Sequence, residues 1–220
     1  KFGTLSEDLR RRDFTINMIA MVVAGPKSGT LIDPFDGVGD ISRQHIRVNH
    51  DLSFVDDPTR AWRAARFAAR FGFTLAAETE ALLRDSHRDL GRIGPERLGA
   101  ELHRLLCETD VVSALTLQRA WALEDVIHPE LAGDPELISR IAAMDAVTGA
   151  LSTAARAEVF WLAIAMSLSA EARADRVRLT AAAPAWGTRR RSQRWLHGPE
   201  TVRAAWIALE HASDRAAQAR

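Results

Sequence analysis

Asp57 and Arg60 stand three residues apart in SFVDDPTRAWRAARFAARFGF (Ser53 to Phe73), and an acid with an arginine at that spacing can read a nucleobase. Cytosine and adenine each present an amino donor beside a ring-nitrogen acceptor on the Watson–Crick edge. A carboxylate accepts from the amino group and a guanidinium donates to the ring nitrogen. Guanine and uracil present the reverse order and would leave both protein groups desolvated without partners, which is costly. The same two residues suit a plainer arrangement, with Asp57 capping a helix and Arg60 as its local ion-pair partner. The residues alone leave both readings open.

A second polar set lies in RRDFTIN (Arg11 to Asn17), behind the cationic run Arg10 to Arg12. The pattern predicts a helix over residues 13–24 with Asp13 as its N-cap, which places Asp13 and Asn17 on one face. They are either ligand groups on a buried helix, or a cap and a satisfied polar core residue. On a helical wheel Arg63, Arg66 and Arg70 fall in one narrow sector, with Phe67, Phe71, Ala64 and Ala68 as the apolar side. The plain reading of those three arginines is a solvated face. Arg60 is the exception, directed between Phe67 and Phe71, and Asp57 points nearly the same way.

The elements that must position these groups follow from the pattern of caps and turns. TLIDP and HIRVN read as short strands flanking the Gly-rich turn FDGVGD, and GPKSG (25–29) reads as another turn. From Asp57 onward the chain reads as helical. Asp57-Pro58, Gly94-Pro95, Asp134-Pro135 and Gly198-Pro199 each set proline at a helix start. Helices are expected near 57–71, 77–86, 95–107, 110–122, 135–148, 153–168, 171–180, 187–196 and 199–217. The fold class expected is α+β, predominantly α.

Composition narrows the function. Lys+Arg and Asp+Glu balance at 29 each, which excludes a globally basic nucleic-acid binder. Lys1 and Lys27 are the only lysines, so the positive charge is arginine, clustered at 10–12, 60–70 and 189–194. Arginine forks suit phosphates and base edges better than a lysine point charge does. Residues 186–206 interleave Arg189, Arg190, Arg191 and Arg194 with Trp186, Trp195 and Trp206, a mixture that suits RNA backbone and stacking contacts. An amphipathic helix with buried tryptophans and a wet arginine face fits that segment equally. No apolar run approaches the ~20 residues of a membrane span. Cys107 stands alone and reads as a core thiol, so a reducing cytoplasm is expected and no membrane. His87, His103 and His128 show no metal-ligand spacing.

Taken together, RRDFTIN, LIDPFDGVGDISRQHIRV, SFVDDPTRAWRAARFAARFGF and IGPERLGAELHRLL resemble, in order and spacing over residues 4–130, the class II CCA-adding enzyme and bacterial poly(A) polymerase family. SFVDDPTR is most similar to the A-adding branch. The resemblance implies the end of a nucleotidyltransferase head over 1–50, a helical neck with base recognition over 51–130, and a helical body or tail over 131–220. It implies that Arg11, Arg12, Asp13 and Asn17 contact the ribose and triphosphate of an incoming nucleotide, while Asp57 and Arg60 read its base. Asp56, where the family more often has Glu, and Arg63 would support that pair. Asp36, Gly37 and Asp40 match a hinge-like motif, although a tight turn using Gly37 and Gly39 needs no function. Glu96, Arg97 and Glu101 match a segment that supports the neck. Met18 stands where the family usually has Ala.

The family carries a Gly-rich motif and an Asp-x-Asp metal pair upstream of RRDFTIN, and this sequence contains neither Asp-x-Asp nor Gly-Gly. No catalytic or metal-ligating residue is therefore expected in this chain, and the Mg²⁺ ligands are expected in a preceding region. The activity implied is template-independent addition of A, or of C and A, to the 3′ end of tRNA from ATP or CTP. The alternatives are a poly(A) polymerase acting on general RNA and a non-catalytic RNA-binding remnant. Oligomeric state is left unassigned.

Overall fold

A computed structural model describes residues 4–169 of the 220. Thr4 opens helix α1 (Leu5–Arg10) with a capping box, its hydroxyl accepting from the Glu7 amide while the Glu7 carboxylate accepts from the Thr4 amide. The helix expected over 13–24 does not form. Its place is taken by a 3₁₀ turn (Thr15–Asn17) and a strand, β1 (Ala20–Met21). The Thr15 amide donates to the Arg47 carbonyl at 2.9 Å, and Phe14 bridges antiparallel to Val48. The backbone is thus bonded to a neighbouring extended segment instead of to its own preceding turn. Asp13 is not a helix cap. β1 pairs antiparallel with β2 (Leu31–Ile32) in the register Ala20↔Ile32 and Met21↔Leu31.

The Gly-rich FDGVGD stretch is helical rather than a bare turn. It forms α2 (Gly37–Arg43), entered through Asp36 at φ 58° and left through Gln44 at φ 57°. The Asp33 carboxylate caps α2, accepting from the amides of Gly37 (2.8 Å) and Val38 (2.9 Å). β3 (His45–Ile46) then pairs in parallel with β4 (Thr74–Leu75), His45 opposite Thr74. The crossover between them holds α3 (Ser53–Asp56) and α4 (Thr59–Phe71), the helix anticipated over 57–71. Gly72 ends α4 at φ 66°, a conformation glycine adopts without strain.

Ala61, Trp62, Ala64, Ala65 and Ala68 of α4 are buried, as are Phe14, Met18, Ile46 and Phe54, all at most 1 % exposed. The expected sidedness of α4 is corrected here. Phe71 is exposed and Phe67 half-buried, whereas Arg66 is buried. The guanidiniums of Arg63, Arg66 and Arg70 lie 5.5, 5.0 and 5.6 Å from the Phe67 ring centroid, so this ring, which meets buried Phe14 edge to face, also holds cations. These arginines are not a merely solvated face.

α5 (Ala77–Asp85) and α6 (His87–Leu90) complete a first unit that ends at Ile93. The second unit begins at Gly94 with α7 (Pro95–Leu106), proline occupying the first turn as expected. α8 (Val111–Ala120), α9 (Leu123–Ile127), α10 (Pro129–Ala132), α11 (Leu137–Thr148) and α12 (Thr153–Met166) follow. Ala122 at φ 55° breaks α8 from α9. The buried Glu124 carboxylate pairs with Arg119 at 2.8 Å, and Arg119 also donates to the carbonyls of Leu131 and Asp134. The helices expected at 171–180, 187–196 and 199–217, and the segment with Arg189, Arg190, Arg191 and Arg194, lie outside the described residues. Among the described residues no helix is long and apolar enough to cross a membrane.

Candidate functional site

The chain leaving α1 is held by its backbone, which leaves its arginine side chains projecting. The Asn49 amide donates to the Arg10 carbonyl at 2.7 Å, and Arg60 donates to the Arg11 carbonyl at 3.2 Å. Arg11 and Arg12 both pair with Asp8, and Arg12 also donates to the Asn17 carbonyl. Arg11 and Arg12 are exposed, while Asp13, two residues into the motif, is buried.

Asp13 joins three elements. One carboxylate oxygen accepts from the Phe14 amide (3.0 Å) and the Asn17 side-chain amide (2.9 Å). The other accepts from Arg63 Nε of α4 at 2.8 Å. Burial opposes ionisation of Asp13, but the Asn17 bond and the Arg63 charge outweigh it and hold the carboxyl below its ordinary value. Asp13 therefore orients Asn17 and fastens the 3₁₀ turn to α4.

Arg60 is buried in the wall, as its inward direction on the wheel implied. Its Nη1 donates to the Ser53 hydroxyl (2.5 Å) and the Ser53 carbonyl (3.3 Å). Asp57 caps the following helix in part, one oxygen accepting from the Thr59 amide (3.1 Å) and hydroxyl (2.6 Å). The capping half of the plain reading is thus present. Asp57 also lines the cleft. Asp56 turns outward, its side chain 59 % exposed and 3.9 Å from His50, and it does not line the cleft.

Arg11, Arg12, Asp13, Asn17, Asp57, Arg60 and Arg63 together line one cleft of about 350 Å³. Residues 40 and more positions apart in sequence converge there, with four arginines against two aspartates. That excess of guanidinium suits a polyphosphate, and the Asp57–Arg60 pair suits a base edge. The carboxylates do not fit a metal centre. Both oxygens of Asp13 are engaged by donors, as is one of Asp57, and no group of three or more His, Cys, Asp or Glu able to hold a metal occurs among the described residues.

Beneath this cleft lies a buried network that the sequence did not disclose. Asp40 of α2, 1 % exposed, accepts from the Thr15 hydroxyl (2.5 Å), Arg47 Nε (2.8 Å) and Arg43 (2.8 Å). Burial again opposes the charge, and the bonds from Arg47, Thr15 and Arg43 overcome it, leaving the carboxyl below its ordinary value. Gly37 packs against the same turn so closely that a Cβ there would stand 2.3 Å from the Thr15 carbonyl oxygen. Gly37 and Asp40 therefore form a platform under the Thr15 turn, for which the tight-turn reading is insufficient, whereas Asp36 is exposed and pairs with Arg43. Arg47, just after β3, was the available signal.

Comparison with known proteins finds relatives for two segments of the chain. Residues 1–47 match the poly A polymerase head domain, and residues 72–134 match a probable RNA- and SrmB-binding site of polymerase A. The chain is 41 % identical over 138 residues to an A-adding tRNA nucleotidyltransferase of Geobacter sulfurreducens. It is 46 % identical over 134 residues to a multifunctional CCA protein of Stenotrophomonas maltophilia. Over residues 1–47 and 72–134 the chain is thus similar to the CCA-adding enzyme and bacterial poly(A) polymerase family.

Solved structures of similar enzymes have a similar fold. A tRNA nucleotidyltransferase complexed with a primer tRNA and an incoming ATP analogue superimposes with a TM-score of 0.75 at 28 % identity, over 98 % of this chain and 72 % of that one. An apo CCA-adding enzyme gives 0.78 at 29 % identity, over 97 % and 50 %. The matches to the Geobacter and Stenotrophomonas proteins take in 62 % and 58 % of this chain but 16 % and 32 % of theirs. The stretch Ser53–Phe71, which carries Asp57 and Arg60, falls between the two matched family domains.

Proposed function

We propose that this chain forms the nucleotide-recognising portion of an enzyme that adds A, or C and A, to the 3′ end of tRNA from ATP or CTP. The observation that carries this is the single cleft in which the Asp57–Arg60 pair meets Asp13, Asn17, Arg11, Arg12 and Arg63. In this reading residues 1–50 close the head, 51–130 form the neck that reads the base, and 131–220 form a body and tail that meet the tRNA. Arg11 and Arg12, extending from a backbone held by Asn49 and Arg60, meet the triphosphate as charge-assisted donors. Asn17, oriented by Asp13, faces the ribose. Asp57 accepts from the amino group of adenine or cytosine, and Arg60 donates to the adjacent ring nitrogen. Mg²⁺ for the transfer is assigned to carboxylates outside this chain.

Support also comes from the relatives, among them an A-adding enzyme, a multifunctional CCA protein, and a nucleotidyltransferase in complex with primer tRNA and an ATP analogue. The test uses the full-length enzyme, with tRNA lacking its terminal nucleotides and an unrelated RNA as acceptors. ATP or CTP is expected to be incorporated into the tRNA in preference to GTP and UTP. Arg60→Ala is expected to compress that preference by about ten- to a hundredfold, the worth of one hydrogen bond to a charged group. Equal extension of the unrelated RNA would move the assignment to a general poly(A) polymerase. RNA binding with no transfer would leave a binding remnant.

A further inference from the structure

Ser53 touches both members of the base-facing pair, although its residue type suggests no chemistry at that position. It is fully buried at the start of α3. Its hydroxyl accepts from Arg60 Nη1 at 2.5 Å. Its carbonyl accepts from that same nitrogen at 3.3 Å and from the Asp57 amide at 3.2 Å. With the Nη2 bond to the Arg11 carbonyl, these contacts account for three of the five guanidinium hydrogens and hold the plane at two corners. Nε and one Nη2 hydrogen remain for a ligand, on a single edge of the fork.

We propose that Ser53 is a positioning residue for nucleotide selection: its hydroxyl fixes the guanidinium plane of Arg60 while its carbonyl anchors the backbone of Asp57, so that acceptor and donor stay in the register of an adenine or cytosine edge. This rests on the reading of Arg60 as the base-facing donor. A long arginine side chain has high rotamer freedom. If loosened, it can follow O6 of guanine or O4 of uracil, whereas a fixed plane cannot. Ser53 thus acts on which nucleotide is accepted, through a group that need not touch it.

The test compares the wild-type full-length enzyme with Ser53→Ala, Arg60→Ala and the double variant, measuring kcat/KM for ATP, CTP, GTP and UTP on tRNA, with thermal melting alongside. Ser53→Ala keeps the carbonyl and so removes the hydroxyl contact alone. It is expected to narrow the preference for ATP or CTP over GTP and UTP by about three- to tenfold, and to have no further effect on the ranking in the Arg60→Ala background. Ser53→Cys, of similar size and with a weaker acceptor, is expected to fall between, and it decides the matter if Ser53→Ala does not fold. An unchanged ranking in the Ser53 variants, with Arg60→Ala narrowing it, overturns the role of Ser53 and leaves the base-reading assignment standing. The same narrowing by Ser53→Ala with and without Arg60 also overturns it. An unchanged ranking in Arg60→Ala overturns both.

Discussion

Asp13 and Asp40 are the two buried carboxylates on which the cleft depends, and each is held by arginine on a neighbouring element. Both have carboxyl groups depressed below their ordinary value, so both bind protons more readily unfolded than folded. The stability they contribute is therefore complete above the ordinary aspartate range of about 4 and is lost as pH falls through their folded values. Denaturant unfolding is expected to show a steep loss of stability below about pH 4. Asp40→Asn should flatten that acid limb and cost about 1–3 kcal/mol at neutral pH, since Arg47 and the Thr15 hydroxyl lose a charged acceptor. An unaltered acid limb would place the titration elsewhere.

At the scale of elements, the platform under the RRDFTIN turn depends on close backbone approach at Gly37. A Cβ there meets the Thr15 carbonyl, which is backbone and cannot swing aside, whereas a Cβ at Gly39 meets the Asp36 carboxylate, a mobile side chain. Gly37→Ala is expected to destabilise the fold by about 1–3 kcal/mol and raise KM for the nucleotide, with Gly39→Ala much milder. Equal melting temperatures for the two variants would contradict the close approach. Helices whose apolar faces repeat and whose caps are local were legible in the sequence: α4, α5, α7, α8, α11 and α12 lie within a few residues of expectation. The 3₁₀ turn and α2 were not, because distant partners decide them. The Thr15 amide answers the Arg47 carbonyl, and Asp33 supplies the cap for α2 from outside the motif. Periodicity likewise identified the inward direction of Arg60 and misjudged Phe67 and Phe71, because the arginines themselves cover the Phe67 face. Six of the seven residues lining the cleft carried chemistry legible from their motifs, and Arg63 entered as a support, yet Ser53 carried no signal because a buried serine is ordinary.

For the whole molecule, both oxygens of Asp13 and one of Asp57 accept from donors, and no group of three or more His, Cys, Asp or Glu able to hold a metal occurs among the described residues. The 220-residue chain alone, supplied with tRNA, ATP, CTP and Mg²⁺, is expected to transfer no nucleotide. Robust incorporation by the purified chain would contradict that. If Arg189, Arg190, Arg191 and Arg194 meet RNA, replacing them with alanine should lower the log–log salt slope of tRNA binding by about 0.7–0.9 for each phosphate no longer neutralised. An unchanged slope returns that segment to a solvated face. Selection of the base is assigned to Asp57 and Arg60, and Asp57→Ala in the full-length enzyme separates that role from helix capping. Without the carboxylate, Arg60 can donate to O6 of guanine or O4 of uracil with nothing opposing it. Measured kcat/KM for the four nucleotides should then lose about ten- to a hundredfold of discrimination against GTP and UTP, with a lower rate throughout. Lower thermal stability from the lost Thr59 cap, with the ranking of the four nucleotides preserved, would make Asp57 a helix cap and contradict the account.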